Sequence, residues 1–313
     1  LGQCLRALVE VGLDQLPLPG SGRTLERFQS LAAVAGHDLG VCKLYEGHTD
    51  ALAIIEQLGG STQAGSTWGM WAAEPPQARV KVSPVGHMVA LHGRKAWCSG
   101  AAVLSHALLT AWDADDQQQL VAVALDQPGV TVTEQGWQAV GMAATGSVEV
   151  LFDGAEAQAI GNPGDYLQRP GFWQGGIGIA ACWYGAARQI ADALRIQCEQ
   201  RPEPHALAHL GAVDSALQAA ADVLRFSALH IDAHPEDNAE LLARRARAVV
   251  EQSAEQVMRE VGRALGAGPF CKDRHFARLS ADLPVFLRQS HAERDLAALG
   301  QLVAGHSTEA WAL

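Results

Sequence analysis

Lys95-Ala96-Trp97-Cys98-Ser99-Gly100 sets a cation, a large aromatic ring and a hydroxyl at alternate positions of a short run that turns at Gly93. On its residues alone the element reads equally well as a β-hairpin with a buried Trp. Further along, Ser290-His291-Ala292-Glu293 groups a hydroxyl, an imidazole and a carboxylate. An imidazole can accept a proton near neutral pH, so His291 is a candidate base, set against the plainer reading of a polar residue at a bundle edge. Glu293-Arg294-Asp295 reads first as an ion-pair cluster. Arg201 and Arg263 are two guanidiniums able to hold a pyrophosphate by charge, or equally two solvated arginines. His230 and His234 share a helix face at i, i+4, but Pro235 ends that helix, so solvated or capping histidines are expected there and no metal.

Bulk properties narrow the class. Of 313 residues 48 % are hydrophobic and 18 % charged, which fits a globular enzyme. The formal charge of −11 disfavours nucleic acid or an anionic membrane as a partner. No run of about 18 apolar residues exists, so no membrane insertion is expected. The opening Leu1-Gly2-Gln3-Cys4-Leu5-Arg6 lacks the basic and apolar regions of a signal peptide. Cys4, Cys42, Cys98, Cys182, Cys198 and Cys271 are scattered and form no Cys-x-x-Cys, as reduced thiols in a cytoplasm would be.

Three textures follow one another along the chain. Residues 1–64 carry helical spacing (Leu5, Leu8, Val9; then Leu52, Ile55, Leu58) and are expected to form a short, truncated helical domain. Residues 65–158 hold alternating or short apolar runs cut by Gly, Pro and Asp, a β-domain of six to eight strands. Residues 165–313 return to helical period. Four long amphipathic helices are expected: Gly175 to Gln200, Leu207 to Ile231, Leu242 to Leu265 closed by Gly266-Ala267-Gly268-Pro269, and Phe276 to Val303. Grouped strands followed by grouped helices predict an α+β fold: an N-terminal helical segment, a central antiparallel β-domain and a C-terminal four-helix bundle.

That order resembles the acyl-CoA dehydrogenase family of flavoproteins over about residues 40–300. The Lys95-x-Trp97-x-Ser99 element is similar to the family's flavin-facing strand. Gly69-Met70-Trp71-Ala72-Ala73-Glu74-Pro75 stands where the family has its Thr-Glu-Pro strand, and Gly141 to Asp153 matches the end of the β-domain. Arg169-Pro170 resembles the opening of the first bundle helix. Leu265-Gly266-Ala267-Gly268 stands at the family's Gly-rich cofactor loop, and Arg278 to Asp282 at its Glu-Arg-x-x-Arg-Asp helix. The resemblance implies FAD held by Ala72, Ala73, Trp97, Ser99, Arg201, Arg263, Gly266 and Gly268, with the Ser99 hydroxyl donating toward the flavin edge. It also implies Arg169 at the substrate and a homodimer or homotetramer. Trp68, Trp71, Trp97, Phe172, Trp173, Trp183 and Tyr184 would wall the pocket.

The implied reaction is α,β-dehydrogenation of an acyl substrate such as an acyl-CoA, with electrons passed to a separate acceptor. The chain departs from the family at the chemistry, for neither base position carries a carboxylate: one holds Arg288 and the other Gln168. On a continuous helix His291 would share the face of Arg288, and Glu293 would lie off it. Those departures admit two alternatives: a two-component flavin monooxygenase of the same fold, or a non-catalytic partner subunit.

Overall fold

The computed structural model describes residues 1–305 and 311. Contacts gather into two units, Leu1–Leu16 with Gly40–Phe172 and Pro17–Leu39 with Trp173–Leu313. The expected separate domain at 1–64 therefore does not form as one body. Its three helices, α1 (Gly2–Glu10), α2 (Thr24–His37) and α3 (Leu39–Gln57), are shared between the units. None is long enough to bury its apolar face alone, so each joins a larger core.

The first unit is a β-barrel with α1 and α3. Its strands are β1 (Trp68–Trp71), β2 (Val80–Val85), β3 (Met88–Cys98), β4 (His106–Trp112), β5 (Gln118–Ala124), β6 (Val130–Val132) and β7 (Val148–Ile160). Strands β4, β2, β3, β7 and β5 form a ring that β5 closes back onto β4. Pairing is mostly antiparallel as expected, but β1 and β2 both run parallel to β4. The β2–β4 join rests on one residue pair, Lys81 with Trp112. Gly93 allows β2 to cross β3 closely: its φ is +123°, and a Cβ there would sit 2.2 Å from the Arg79 carbonyl. Against the barrel wall, α3 buries Ala51, Ile54 and Ile55 with Trp68, Leu108, Leu120 and Ile160. A four-residue helix, α4 (Asp165–Gln168), ends this unit.

The second unit holds α2 and the helices α5 (Gly171–Gln200), α6 (Pro204–Ala233), α7 (Glu240–Leu265), α8 (Ala267–Lys272), α9 (Arg274–Phe286) and α10 (Glu293–Ala304). The ends obey local chemistry. Pro204 opens α6 behind Glu203, whose carboxylate accepts from the Ala206 amide at 2.9 Å, and α6 stops before Pro235. Gly266, at φ +62°, ends α7. Asp232 on α6 accepts from the amide and hydroxyl of Thr24 at 3.0 and 2.6 Å, capping α2 from outside. α2 meets α5 where neither helix has a side chain. A Cβ on Gly185 would lie 2.1 Å from the Ala32 carbonyl, and one on Gly36 3.2 Å from the Gly185 carbonyl. Gly185→Ala is therefore expected to lower stability by roughly 2–3 kcal/mol, read from urea unfolding, because backbone cannot give way as a side-chain tip can. A loss under about 1 kcal/mol, the size of the helix-propensity gain, would count against this close crossing.

The fourth long helix expected at 276–303 is broken. α9 runs into a 3-10 turn at Leu287–Gln289, Ser290 is extended, and Ala292 has φ +47° before α10 starts. The break carries its own polar satisfaction. The Ser290 hydroxyl accepts from the Ala292 amide at 3.1 Å, and the Asp295 carboxylate accepts from the His291 amide at 2.9 Å. His291 therefore does not share a helical face with Arg288, and Glu293 lies in the first turn of a new helix.

Candidate functional site

One candidate patch lies at the end of β3. Its register against β7 slips between Lys95 and Cys98, so three steps on β3 face two on β7. This bulge puts Trp97 at φ +56° and turns its indole outward, 52 % exposed amid buried neighbours. The buried Trp71 indole donates to the Ser99 carbonyl at 3.2 Å, tying the end of β1 to the bulge. The β1–β4 ladder stops at Trp71, leaving the half-buried peptides of Ala72 and Ala73 beyond it. A flat aromatic face, adjoining peptide groups and a buried hydroxyl thus come together from residues 71–73 and 97–99.

The hydroxyl has a defined polarity. Ser99 Oγ lies 2.7 Å from Ser147 Oγ, which lies 2.9 Å from Thr145 Oγ1, which donates to the Met142 carbonyl at 2.8 Å. A carbonyl only accepts, so the single Thr145 proton is committed to it. Ser147 must then donate to Thr145, and Ser99 to Ser147. Ser99 consequently offers lone pairs to anything above it. The resemblance implied a donor at this position.

Beneath the patch, Lys95 is wholly buried and spends its three protons on Glu74 Oε1 (2.7 Å), the Thr110 carbonyl (2.8 Å) and Thr110 Oγ1 (2.8 Å). Glu74 also accepts from the Thr110 hydroxyl and, at 3.1 Å, from the Trp112 indole. Arg79 covers the Trp112 ring at 4.0 Å. These groups bridge β3, β4 and the segment after β1, and they stitch the single-pair join of the barrel. Burial pushes the Lys95 ammonium below the usual lysine range, and Glu74 offsets part of that.

Behind β1, the fully buried His48 accepts the Trp68 amide at Nδ1 (3.2 Å) and faces Asp14 Oδ2 with Nε2 (3.2 Å). The amide fixes the tautomer, with the proton on Nε2. Burial lowers the pKa of His48, and Asp14 partly restores it. His106, stacked on Trp68 at 4.7 Å, is lowered by burial too. Both groups bind protons more tightly when unfolded, so stability should be full at pH 7 and fall as pH drops below about 6.5. His48→Asn, whose side-chain oxygen can still accept from Trp68, is expected to flatten part of that slope between pH 7 and 5.5 in thermal melts. An unchanged slope would rule His48 out as its source.

Arg169, expected at the substrate, lies in the barrel unit after α4. It donates to Gln57 Oε1 at 2.6 Å and stands 5.5 Å over the Tyr166 ring, with its Nε buried and unpartnered. Burial lowers its pKa, while Asp50 and Tyr166 oppose the shift.

In the helical unit, a small pocket is lined by Trp173, Arg244, Arg247, Glu251, Ser290 and Asp295, with apolar residues between them. Arg247 donates to the carbonyls of Gly176 (2.8 Å) and Gln289 (3.1 Å) and covers the buried Trp183 ring at 4.7 Å. It thereby holds the α9–α10 break onto α5. Arg244 stacks on Trp173 at 4.7 Å and pairs with Glu240 (2.9 Å) and Asp295 (3.5 Å). Burial lowers the Arg247 pKa, with Asp295 and Glu251 holding it up. Ser290 and Asp295 line this pocket; the expected His291 and Glu293 do not. His291 is 59 % exposed, with Nδ1 3.7 Å from Asp295. Arg288 is tied to Glu251 at 2.7 Å and Glu255 at 3.2 Å.

No protein-family model and no curated relative matches the sequence. Solved structures do. Methanesulfinate monooxygenase MsuC from Pseudomonas fluorescens superposes with a TM-score of 0.81 at 18 % identity, over 96 % of this chain and 89 % of its own. Nitrososynthase from Micromonospora carbonacea var. africana gives 0.80 at 19 % identity, over 96 % and 88 %. FMN-bound TdsC from Paenibacillus sp. A11-2 gives 0.79 at 19 % identity, over 90 % and 84 %. The chain shares their fold.

Arg201, Arg263, Gly266 and Gly268 were expected at the cofactor. Arg201, just past α5, and Arg263, in the last turn of α7, are both exposed. Gly266 is the turn after α7, and Gly268 lies within α8. Of the seven aromatics expected to wall the pocket, Trp68, Trp71 and Trp183 are buried in the core, Phe172, Trp173 and Tyr184 are half-buried, and Trp97 is exposed. The hydroxyl chain from Ser99 through Ser147 to Thr145 was missed. Its only trace in the sequence is the Thr-Gly-Ser spacing at 145–147.

Proposed function

We propose that the chain is a flavin-dependent monooxygenase that binds reduced FMN, with the face of Trp97, the peptides of Ala72 and Ala73 and the Ser99 oxygen as the seat of the flavin ring. The observation that carries the reading is the absence of a carboxylate at either base position. Arg288 is neutralised by Glu251 and Glu255, and Gln168 is exposed at the end of α4. A thioester α-proton needs a base of matched pKa, and neither group is one. Oxygen transfer needs none. The FMN in TdsC and the monooxygenase activity named for MsuC support the choice of cofactor and reaction class. FMN is chosen over the FAD implied by the resemblance because TdsC is FMN-bound; Arg201 and Arg263, the residues read for a pyrophosphate, are both exposed.

Bound reduced flavin would supply the electrons that activate dioxygen. The protein's own part is to stack the ring on Trp97 and to offer peptide N–H groups and an accepting hydroxyl at its edge. A separate reductase would then take the place of the expected electron acceptor. The exposed Leu207, Phe226 and Leu229 of α6 support the self-association that the resemblance implies.

The test is an anaerobic fluorescence titration with FMN and with reduced FMN, followed by admission of air and, separately, by an acyl-CoA panel. Preferential binding of reduced FMN, with a flavin unbleached by thioesters, is the expected result. Bleaching by a thioester would move the assignment to α,β-dehydrogenation. Failure to bind flavin in either state would leave a non-catalytic partner role.

A further inference from the structure

We infer a site for a first-row divalent cation, of the zinc class, at the C-terminal end of α6, built from His230, His234 and Asp237. One ligand atom from each of the three lies within 4.8 Å of the others, and among the described residues this is the one group of its kind. The sequence hides it, because Pro235 ends the helix immediately after the i, i+4 pair. The turn it forces folds the chain back: the Asp237 amide donates to the His234 carbonyl at 3.2 Å, which brings the Asp237 carboxylate up beside the two rings.

Three features point to a ligand. First, His234 Nδ1 lies 3.2 Å from the His230 carbonyl, an acceptor, so the proton is on Nδ1 and the Nε2 lone pair is free. A carbonyl behind the ring is the usual outer support of a metal-bound imidazole. Second, the two rings lie side by side, 4.7 Å between centroids, with one nitrogen of each within 4.8 Å of an Asp237 carboxylate oxygen. Tetrahedral zinc with bonds of about 2.0–2.1 Å needs ligand atoms about 3.4 Å apart, within reach of small rotations of exposed side chains. Third, the site sits at the negative end of a 30-residue helix, which favours a cation. Two imidazoles and one carboxylate select zinc-like ions over magnesium, and leave a position for water.

The surroundings are firm. Gln174 donates to the Pro235 carbonyl at 2.8 Å, and Asp232 is committed to the cap of α2. The ion would staple the last turn of α6 to the loop that leads into α7. Other histidines are engaged elsewhere: His48 is buried, His209 lies 2.7 Å from Glu260, and His275 contacts the His37 carbonyl at 2.8 Å.

The test is calorimetric titration of the full chain with ZnCl₂ at pH 7.5, with MgCl₂ as the control, on the parent and on His230→Gln, His234→Gln and Asp237→Asn. One zinc per chain is expected, with no heat from magnesium. His234→Gln should weaken binding at least tenfold, and Asp237→Asn by less. At zinc a hundredfold above Kd, the parent melting temperature should rise by about 4 °C and that of His234→Gln should not. No zinc binding, or binding indifferent to His234→Gln and to His230→Gln, would overturn the assignment. The readout involves no flavin and stands apart from the proposed reaction.

Discussion

Glu74→Leu is expected to cost about 3–5 kcal/mol of stability at pH 7, because it strands the wholly buried Lys95 ammonium without a counter-charge. Lys95 has one escape, which is to fold neutral. Deprotonating a lysine of ordinary pKa at pH 7 costs about 4–5 kcal/mol, so neutralisation bounds the loss rather than removing it. The sign with pH follows. In the variant the unfolded chain binds a proton at Lys95 that the folded chain binds less well, so stability must climb as pH rises toward the unfolded lysine value. Urea unfolding at pH 7 and 9.5 should show the gap to the parent narrowing. The double variant Glu74→Leu with Lys95→Met should recover a large part of the loss, since no buried charge remains. A double variant as unstable as Glu74→Leu alone would mean that the damage comes from packing at the barrel join and not from the charge.

Ser147→Ala is expected to change which redox state of flavin the chain prefers. The Ser99–Ser147–Thr145 chain consumes the Ser99 proton, so the Ser99 oxygen can only accept. Reduced flavin carries a proton on the ring nitrogen that oxidised flavin presents bare. An accepting oxygen therefore favours the reduced form by about one hydrogen bond, roughly tenfold in affinity. Removing the Ser147 hydroxyl frees the Ser99 proton to point outward, and the ratio of the two dissociation constants should fall about tenfold toward unity. Trp97→Ala should weaken both forms by at least tenfold without changing that ratio. Binding by both variants at the parent ratio would separate Ser99 from the flavin edge while leaving the fold intact.

The grouped strands, the helical periods and the stops at Gly266 and Pro235 were legible because each is a local signal. The expected strands closed into a barrel, and the ends expected for α6 and α7 hold. Non-local outcomes were not legible. Nothing in residues 1–64 says that α2 packs with α6 while α3 covers the barrel. The break at 287–292 could have been suspected, because Ser290-x-x-Glu293 has the spacing of a helix start. The apolar period on either side hid it. At the candidate site, the sequence supplied Trp97, Ser99 and the pair Ala72–Ala73. The direction of the Ser99 proton depends on Thr145 and Ser147 folding back from the opening of β7, and no spacing rule encodes that. The His–His–Asp group was hidden in the same way, by a turn whose residues are adjacent in sequence but whose geometry is not.

The ring of strands has a consequence for how these molecules behave in a crowd. An open sheet offers a row of unpaired peptide groups to the next chain, and long flat rims seed fibrils. Here β5 returns to β4, so the outlying strands β1 and β6, four and three residues long, are short templates for a foreign strand. The protection depends on the one-pair join at Lys81 and Trp112. Loosening it, as Glu74→Leu should, would uncover the rim of β2 and make light scattering on storage rise before any loss of helix.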